Sequence, residues 1–572
     1  MRYPKLNVIH ESRQTIDRFG GYNHNLRISE NEFFEMQNMT SDHYPLLAPR
    51  AGRSMYTEAT KANGLIAKDA LCYVDGGNFV VNKYPVEMEL NDEPKQLISM
   101  GAYVIILPDK KYINTENLSD FGDIEVVNTS TEAVTISMCK ADGTDYGEIP
   151  ASPTEPGDPE NGDLWIDTST TPHSLKQYSS TSSLMWVSVA TTYVRIYSPG
   201  IGIGINKYDG VTISGMNDES LNGSFIVQDA GADYVTVIAL VDKTTTQSEP
   251  VTISRLMPSM DYVTECGNRL WGCRYGLSAD GQVVNEIYAC KLGDFKNWEC
   301  FMGISTDSWR GSVGTDGAFT GAITHMGYPV FFKENCLHKV YISSVGAHQV
   351  QDTACRGVQR GCDKSLAIVN ETLYYKSRTG IMAYDGSLPV ETSYVLGEKS
   401  YHDVVSGANG NKYYACMIDD EDKANIFVYD TAKGLWHRED DLLVSQFCYC
   451  RGALYAITDD RTKVICMTGG EEVVEWMVQS GEIGLTTPEM KYISRLTMRM
   501  SLAPGSEIRV YAQYDNQKEW DMILYMKGTS LRSFSVPIRP KRCDYMRFKI
   551  EGIGDAKIYS ETKTMRKGSE LS

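Results

Sequence analysis

The feature that most constrains this chain is its punctuation. Short runs with apolar residues at every second position are cut by Asp-Gly or Asn-Gly pairs, among them Asp75-Gly76, Asp142-Gly143, Asp209-Gly210, Asn222-Gly223, Asp316-Gly317 and Asp385-Gly386. Glycine reaches positive φ without a Cβ clash, so each pair is read as the turn of a β-hairpin. Helical periodicity is nearly absent. The exception is Ser29 to Met39, where Ser29 as N-cap and Glu32 three residues on predict one short helix. The chain holds 35 Tyr against 15 Phe, and Tyr suits a sheet face whose polar tips stay in water. An all-β protein made of hairpins is expected.

At 572 residues the chain exceeds one core, and its pattern changes along its length. From 257 to 470 an aromatic strand, a turn and another strand recur loosely, as in Arg269 to Cys273, Thr372 to Tyr375, Lys412 to Cys416 and Ala453 to Ile457. Repeated hairpins of this kind stack into propeller blades. Glu148 to Gly162 carries Pro150, Pro153, Pro156 and Pro159 among acids and reads as an exposed linker. Beyond 471 the alternation is clean, as in Glu507 to Tyr511 and Tyr545 to Ile550, which marks a sandwich. The expected fold class is all-β: a β-propeller-like body with an inserted small β-module and a C-terminal β-sandwich. The expected divisions are 1–107 (N-terminal segment and first propeller strands), 108–256 (insertion), 257–470 (propeller body) and 471–572 (sandwich).

Charge and chemistry exclude several classes. The net charge of −19 disfavours a grip on nucleic acid or anionic lipid. The 14 cysteines include no Cys-x-x-Cys pair and read as buried thiols of a reducing compartment. Met1 to Lys5 shows no apolar signal core, and no apolar run approaches membrane-spanning length, so synthesis in the cytoplasm is expected. There is no Gly-x-Ser-x-Gly, Walker loop or His-Glu-x-x-His, and the nine histidines are dispersed. Gly200 to Gly204 reads as a loop or strand, not a dinucleotide turn. Cys355 and Cys362 have no activating base nearby in sequence. No catalytic residue, metal or cofactor is expected.

The N-terminal run reads Phe19-Gly20-Gly21-Tyr22-Asn23, then Glu32 to Met39, then Tyr44 to Arg53 with Arg50 and Arg53 closing an Arg-x-x-Arg. Both arginines suit pairing with carboxylates or carbonyls. This order resembles the opening of virion structural proteins of tailed bacteriophages. Cys355 to Ser365 with the following Gly380 to Gly386, and Pro537 to Asp544 with Glu551 to Gly554, resemble parts of short-tailed phage tail-nozzle and DNA-stabilisation proteins. Gly162 to Thr168, Leu175 to Tyr178 and Trp186-Val187 resemble a small tail-fibre module, and Asp430 to Trp436 resembles a kelch or Asp-box hairpin. The resemblance implies a virion tail protein, assembled in the host cytoplasm. It would form a homo-oligomeric ring of six copies contacting portal, adaptor and tail fibre proteins, with DNA passing through the lumen. On that reading Arg50 and Arg53 are interface residues. The alternative is a receptor- or carbohydrate-binding tail protein with exposed Trp165 and Trp186 as glycan platform. A propeller glycosidase is the third reading.

Overall fold

The computed structural model describes residues 11–181, 185–278, 281–486 and 490–567; residues 1–5, read above for a leader, lie outside them. Among the described residues helix is confined to three short 3-10 turns, Glu219–Leu221, Asp363–Ser365 and Tyr394–Leu396. None is long and apolar enough to cross a membrane. The predicted hairpin turns hold at Gly76, Gly143 and Gly386, whose φ lies between +57° and +104°, whereas Gly223 opens a strand and Gly317 lies in a connection between two sheets.

Among the described residues seven four-stranded sheets have the make-up of β-propeller blades. Two compact units divide the chain: 1–95, 332–337 and 353–572 make the first, and 96–331 with 338–352 the second.

In the first unit the sheets 62–87, 367–391 and 401–438 are up-and-down meanders. The fourth joins Val444–Cys450, Ala453–Thr458 and Lys463–Gly470 to Gly52–Glu58, which arrives from almost 400 residues earlier. Its first strand is stitched to the next sheet by one side chain: the Gln446 amide accepts from Leu65 N and donates to Leu65 O, both at 2.9 Å. Tyr414, Ile426, Phe447 and Leu454 bury one sheet face against another, and Leu65, Tyr73, Cys450 and Ile457 do the same on the far side. Each such side chain contributes about 1.5–3 kcal/mol by leaving water.

The C-terminal sandwich is laid out as one hydrogen-bonded network of seven strands. Lys491–Tyr514 runs through it, with Asp521–Val536 on one side and Met546–Ile553 and Ala556–Lys567 end to end on the other. The N-terminal segment supplies both ends of the strand order. Glu11–Ile16 pairs with Ala556–Lys567, and Phe33–Gln37 pairs with Glu475–Ser480. The helix expected at 29–39 is therefore a strand. Its capping contact forms, Ser29 N donating to Glu32 Oε2 at 2.8 Å, but closes only a turn. Pairing with 475–480 buries Phe33 and Met36, which outweighs local helix propensity.

In the second unit, sheets 96–123 and 262–312 and most of 321–354 follow the same meander plan. Between the first two lies an inserted barrel. Val126–Thr129 and Val134–Cys139 pair with Thr252–Arg255 and Thr245–Gln247 in one continuous register, from Val126 opposite Arg255 to Ile136 opposite Thr245. That ladder joins the two ends of the strand order, so the sheet closes on itself. Its interior is a layer of Val and Ile, including Val194, Ile196, Val211, Val235 and Ile253. Asp209-Gly210 is not a turn. Asp209 is buried against Arg255 and accepts from Asn297 Nδ2 at 3.0 Å, and Gly210 opens a strand. A Cβ on Gly210 would lie 2.4 Å from Glu299 O, so a close backbone approach requires this glycine. The 148–162 linker is tied down in part, with Ala151–Ser152 pairing in parallel with Leu164–Asp167.

Candidate functional site

The N-terminal arginines face inward. Arg50 is buried; its Nε donates to Asn38 Oδ1 at 2.8 Å, and its terminal nitrogens reach Asp440 and Glu472 at 3.2 and 3.3 Å. Arg53 donates from Nη1 to Asp440 Oδ2 and from Nη2 to Glu439 Oε2, both at 2.7 Å. Burial pushes the Glu439 carboxyl up from its usual range, against the pull of Arg53 and Arg50. Burial pushes Asp440 the same way, but there the two guanidiniums outweigh it and hold the group down. The expected interface role of Arg50 and Arg53 is therefore corrected: their charge is used up inside the chain. Gly21 serves the same docking. A Cβ there would lie 2.2 Å from Trp436 O, the carbonyl that accepts from Tyr22 N at 2.6 Å.

The expected glycan platform is corrected as well. Trp165 is 2% exposed, and its Nε1 donates to Ser152 O at 3.1 Å. Trp186 is half-buried and meets Trp165 edge to face at 5.4 Å. In a module this small, both rings are needed as core. Cys355 and Cys362 are held as thiols, since burial pushes both up, Cys355 to about 11. All 14 cysteines are free. Among the described residues no group of His, Cys, Asp and Glu is arranged to hold a metal.

A cavity of about 180 Å³ opens instead in the first unit, between the turn after Thr372–Lys376 and the connection 391–401. Tyr394 lines it and is 70% exposed, so its ring is available to a ligand. Lys399, Glu398 and Ser400 line it from the connection, and Lys376, Arg378 and Glu391 from the sheet. The wall is built tightly. A Cβ on Gly380 would lie 2.3 Å from Ser393 Oγ and 2.8 Å from Glu391 Oε1, so a side chain there would push both of these side chains aside. Ser393 Oγ accepts from Ile381 N at 2.8 Å. Glu391 accepts from Arg356 Nη1 at 3.1 Å, and Arg378 donates to Glu334 at 2.7 Å, which holds the Glu334 carboxyl below its usual range. Lys376 is buried and donates to Gln359 Oε1 at 2.7 Å; burial pushes its ammonium down, partly opposed by Cys362 and Glu391. The N-terminal segment braces the Tyr394 turn, since His24 N donates to Val395 O at 2.8 Å and Asn25 Nδ2 to Tyr394 O at 3.2 Å. Gly380 begins one of the motifs read from the sequence, but Tyr394 and Lys399 carry no spacing that marks them.

No family model and no curated protein matches the sequence. Several solved structures resemble the chain. Apo AztD from Citrobacter koseri is 9% identical over 75% of this chain and 91% of its own, with a TM-score of 0.28. PorZ, a surface component of the type-IX secretion system of Porphyromonas gingivalis, is 9% identical over 91% and 82%, with a TM-score of 0.23. A family 43 arabinoxylan arabinofuranohydrolase from Bacillus subtilis is 9% identical over 52% and 94%, with a TM-score of 0.19. The expectation of a phage tail nozzle is corrected here. None of the structures named above is described as a phage tail protein, and the arginines meant for a ring contact are engaged internally. The chain is a β-propeller-type protein. At these scores the likenesses assign it no activity, and its site is argued from its own residues.

Proposed function

We propose that the chain binds a carbohydrate in the cavity beside Tyr394. The observation that carries this reading is an exposed tyrosine ring standing over a small cavity lined by both charged donors and carboxylates. A sugar ring presents one apolar face and a rim of hydroxyls. An aromatic ring takes the face, and paired donors and acceptors such as Lys399 with Glu391 and Ser400 with Glu398 take the rim. The volume lies below the roughly 300–1,000 Å³ of drug-sized sites, which suits one terminal sugar unit. Fixed ion pairs around the rim keep the wall in place before a ligand arrives, which limits the ordering loss on binding. The test is a glycan array followed by titration calorimetry. Tyr394→Ala is expected to weaken the selected glycan at least about tenfold, the loss of one stacking contact of about 1.4 kcal/mol. An array without a hit, or a hit indifferent to both Tyr394→Ala and Lys399→Ala, overturns the reading.

Two carboxylates lining one cavity also favour a second reading, glycoside hydrolysis, which uses such a pair. Glu391, oriented by Arg356, would act as base or nucleophile and Glu398 as acid. Release of reducing ends from the bound glycan that disappears in Glu391→Gln and Glu398→Gln supports hydrolysis, and binding without release leaves recognition alone.

A further inference from the structure

We propose that Thr315, His338 and Asp352 in the second unit form a hydrolytic centre that acts on small carboxylic esters. The three residues are far apart in sequence, which is why the dispersed histidines showed no spacing signal. His338 lies on Cys336–Tyr341 and Asp352 on Gln349–Ala354, two neighbouring strands of one sheet. Thr315 lies on the connection that enters the same sheet. His338 Nδ1 is 2.6 Å from Asp352 Oδ1, and His338 Nε2 is 3.0 Å from Thr315 Oγ1.

The chemistry assigns the protons. A carboxylate only accepts, so Nδ1 carries the imidazole hydrogen and Nε2 carries the lone pair. Nε2 then accepts from the threonine hydroxyl. That is the arrangement of a nucleophile, a base and a group orienting the base. The imidazole is fully buried and packs edge to face on Phe319 at 5.9 Å, which fixes its plane. Threonine is held from the other side. Asn285 Nδ2 donates to Val313 O at 2.8 Å and to Thr315 O at 2.7 Å, and Val313 N donates to Asn285 O at 2.8 Å. Gly314 and Gly317 flank the half-buried threonine, and a Cβ on either would meet nothing within 4 Å, so the backbone on both sides of it is open.

In the step itself, Thr315 Oγ attacks the ester carbonyl carbon while His338 Nε2 takes the hydroxyl proton. Collapse breaks the bond to the alkoxy oxygen, which leaves as the alcohol with that proton. Water then attacks the acyl-threonine, again through His338, and the carboxylic acid leaves. Thr315 and His338 are the catalytic residues, and Asp352 is a positioning residue.

The test uses the full chain with p-nitrophenyl acetate and a fluorophosphonate. The expected result is a burst of nitrophenol and a phosphonyl adduct on Thr315, formed with loss of fluoride and located by peptide mass spectrometry. Thr315→Ser is expected to retain both and Thr315→Ala to lose both. Asp352→Asn is expected to lower kcat at least about a hundredfold with KM and melting temperature unchanged, which a tie between strand and loop alone would not do. No adduct on Thr315 in the unaltered chain, or an undiminished burst in Thr315→Ala, overturns the proposal.

Discussion

Replacing Arg53 by methionine keeps most of its aliphatic contact and removes the guanidinium. Three hydrogen bonds go with it: to Glu439 at 2.7 Å and to Asp440 at 2.7 and 3.0 Å. Glu439 is then left with Arg50 Nε at 3.9 Å as its cation, while Asp440 keeps an Arg50 contact at 3.2 Å. Both carboxylates sit where water cannot replace the lost partner, with side chains 6% and 15% exposed. Breaking a buried pair costs about 3–5 kcal/mol, and the surviving Arg50 contacts place this case near the lower figure, about 3 kcal/mol. Glu439 supplies the pH signature. Its carboxyl is raised in the folded chain, so the folded state binds that proton more tightly than the unfolded state does. The group therefore adds stability as pH falls through its folded value and takes it away as pH rises. The Arg53→Met deficit is expected to be largest near neutral pH and to shrink on acidification. Adding Glu439→Gln is expected to recover much of it. The assay is the urea midpoint at several pH values, with amide exchange in 48–58 reporting the segment locally. A neutral-pH loss below about 1 kcal/mol, with unchanged exchange there, would mean the cluster behaves as a solvated surface pair and would refute the reasoning.

His437 is buried neutral, pushed down to about 3 by its burial. The unfolded chain alone takes up its proton between the ordinary value near 6.5 and 3, so stability falls as pH drops through that window, by about 1.4 kcal/mol per unit; His437→Gln should flatten the melting temperature between pH 6.5 and 5 relative to the parent. Gly21→Ala drives a Cβ to 2.2 Å from Trp436 O, a backbone atom without a rotamer to yield, and is expected to destabilise the first unit by about 1–3 kcal/mol in chemical denaturation. Trp165→Ala removes the core of its four-stranded module and should cost about 3–5 kcal/mol there, seen as protease cleavage within 151–188, while glycan binding at Tyr394 is unchanged.

Reading the sequence succeeded where local chemistry decides the outcome. Asp-Gly turns such as 75–76 and 385–386, period-two strands and buried thiols follow from φ preferences and side-chain pattern within a few residues, and they place the chain in the all-β class. It failed where a distant partner decides. Ser29 and Glu32 form their capping contact in the fold, yet 475–480 takes the next residues into a sheet. Asp209-Gly210 has turn composition, but Arg255 and Asn297 claim the aspartate and the Glu299 backbone needs the missing Cβ. Trp165 looked like a sugar platform because tryptophan serves both a core and a stacking surface, and only the depth of the module separates the two. Tyr394 and Lys399 become neighbours of Arg378 and Glu391 only when a connection folds back over its own sheet, which no spacing in the chain announces.

The clustering of function-like residues at 19–53 has one physical cause. The fourth four-stranded sheet of the first unit is completed by Gly52–Glu58, and its other three strands lie near 444–470. Bringing such distant stretches together carries a loop-closure penalty that grows with the logarithm of the separation, and a seven-residue edge strand with a shifted register repays it poorly. The segment before it therefore carries unusually dense fixation. Phe33–Gln37 adds a strand to the C-terminal sheet, Gly21 and Tyr22 seat against Trp436, and Arg50 and Arg53 clamp Glu439 and Asp440 immediately before that edge strand or at its start. Ion pairs at this point do more than the same pairs elsewhere, because each also opposes opening of the closing strand. The same segment continues through His24 and Asn25 to the turn that carries Tyr394. Loosening the clamp at Arg53 should therefore widen the Tyr394 cavity, so that Arg53→Met weakens ligand binding without touching the ligand; unchanged affinity in that variant would show that closure and cavity are independent.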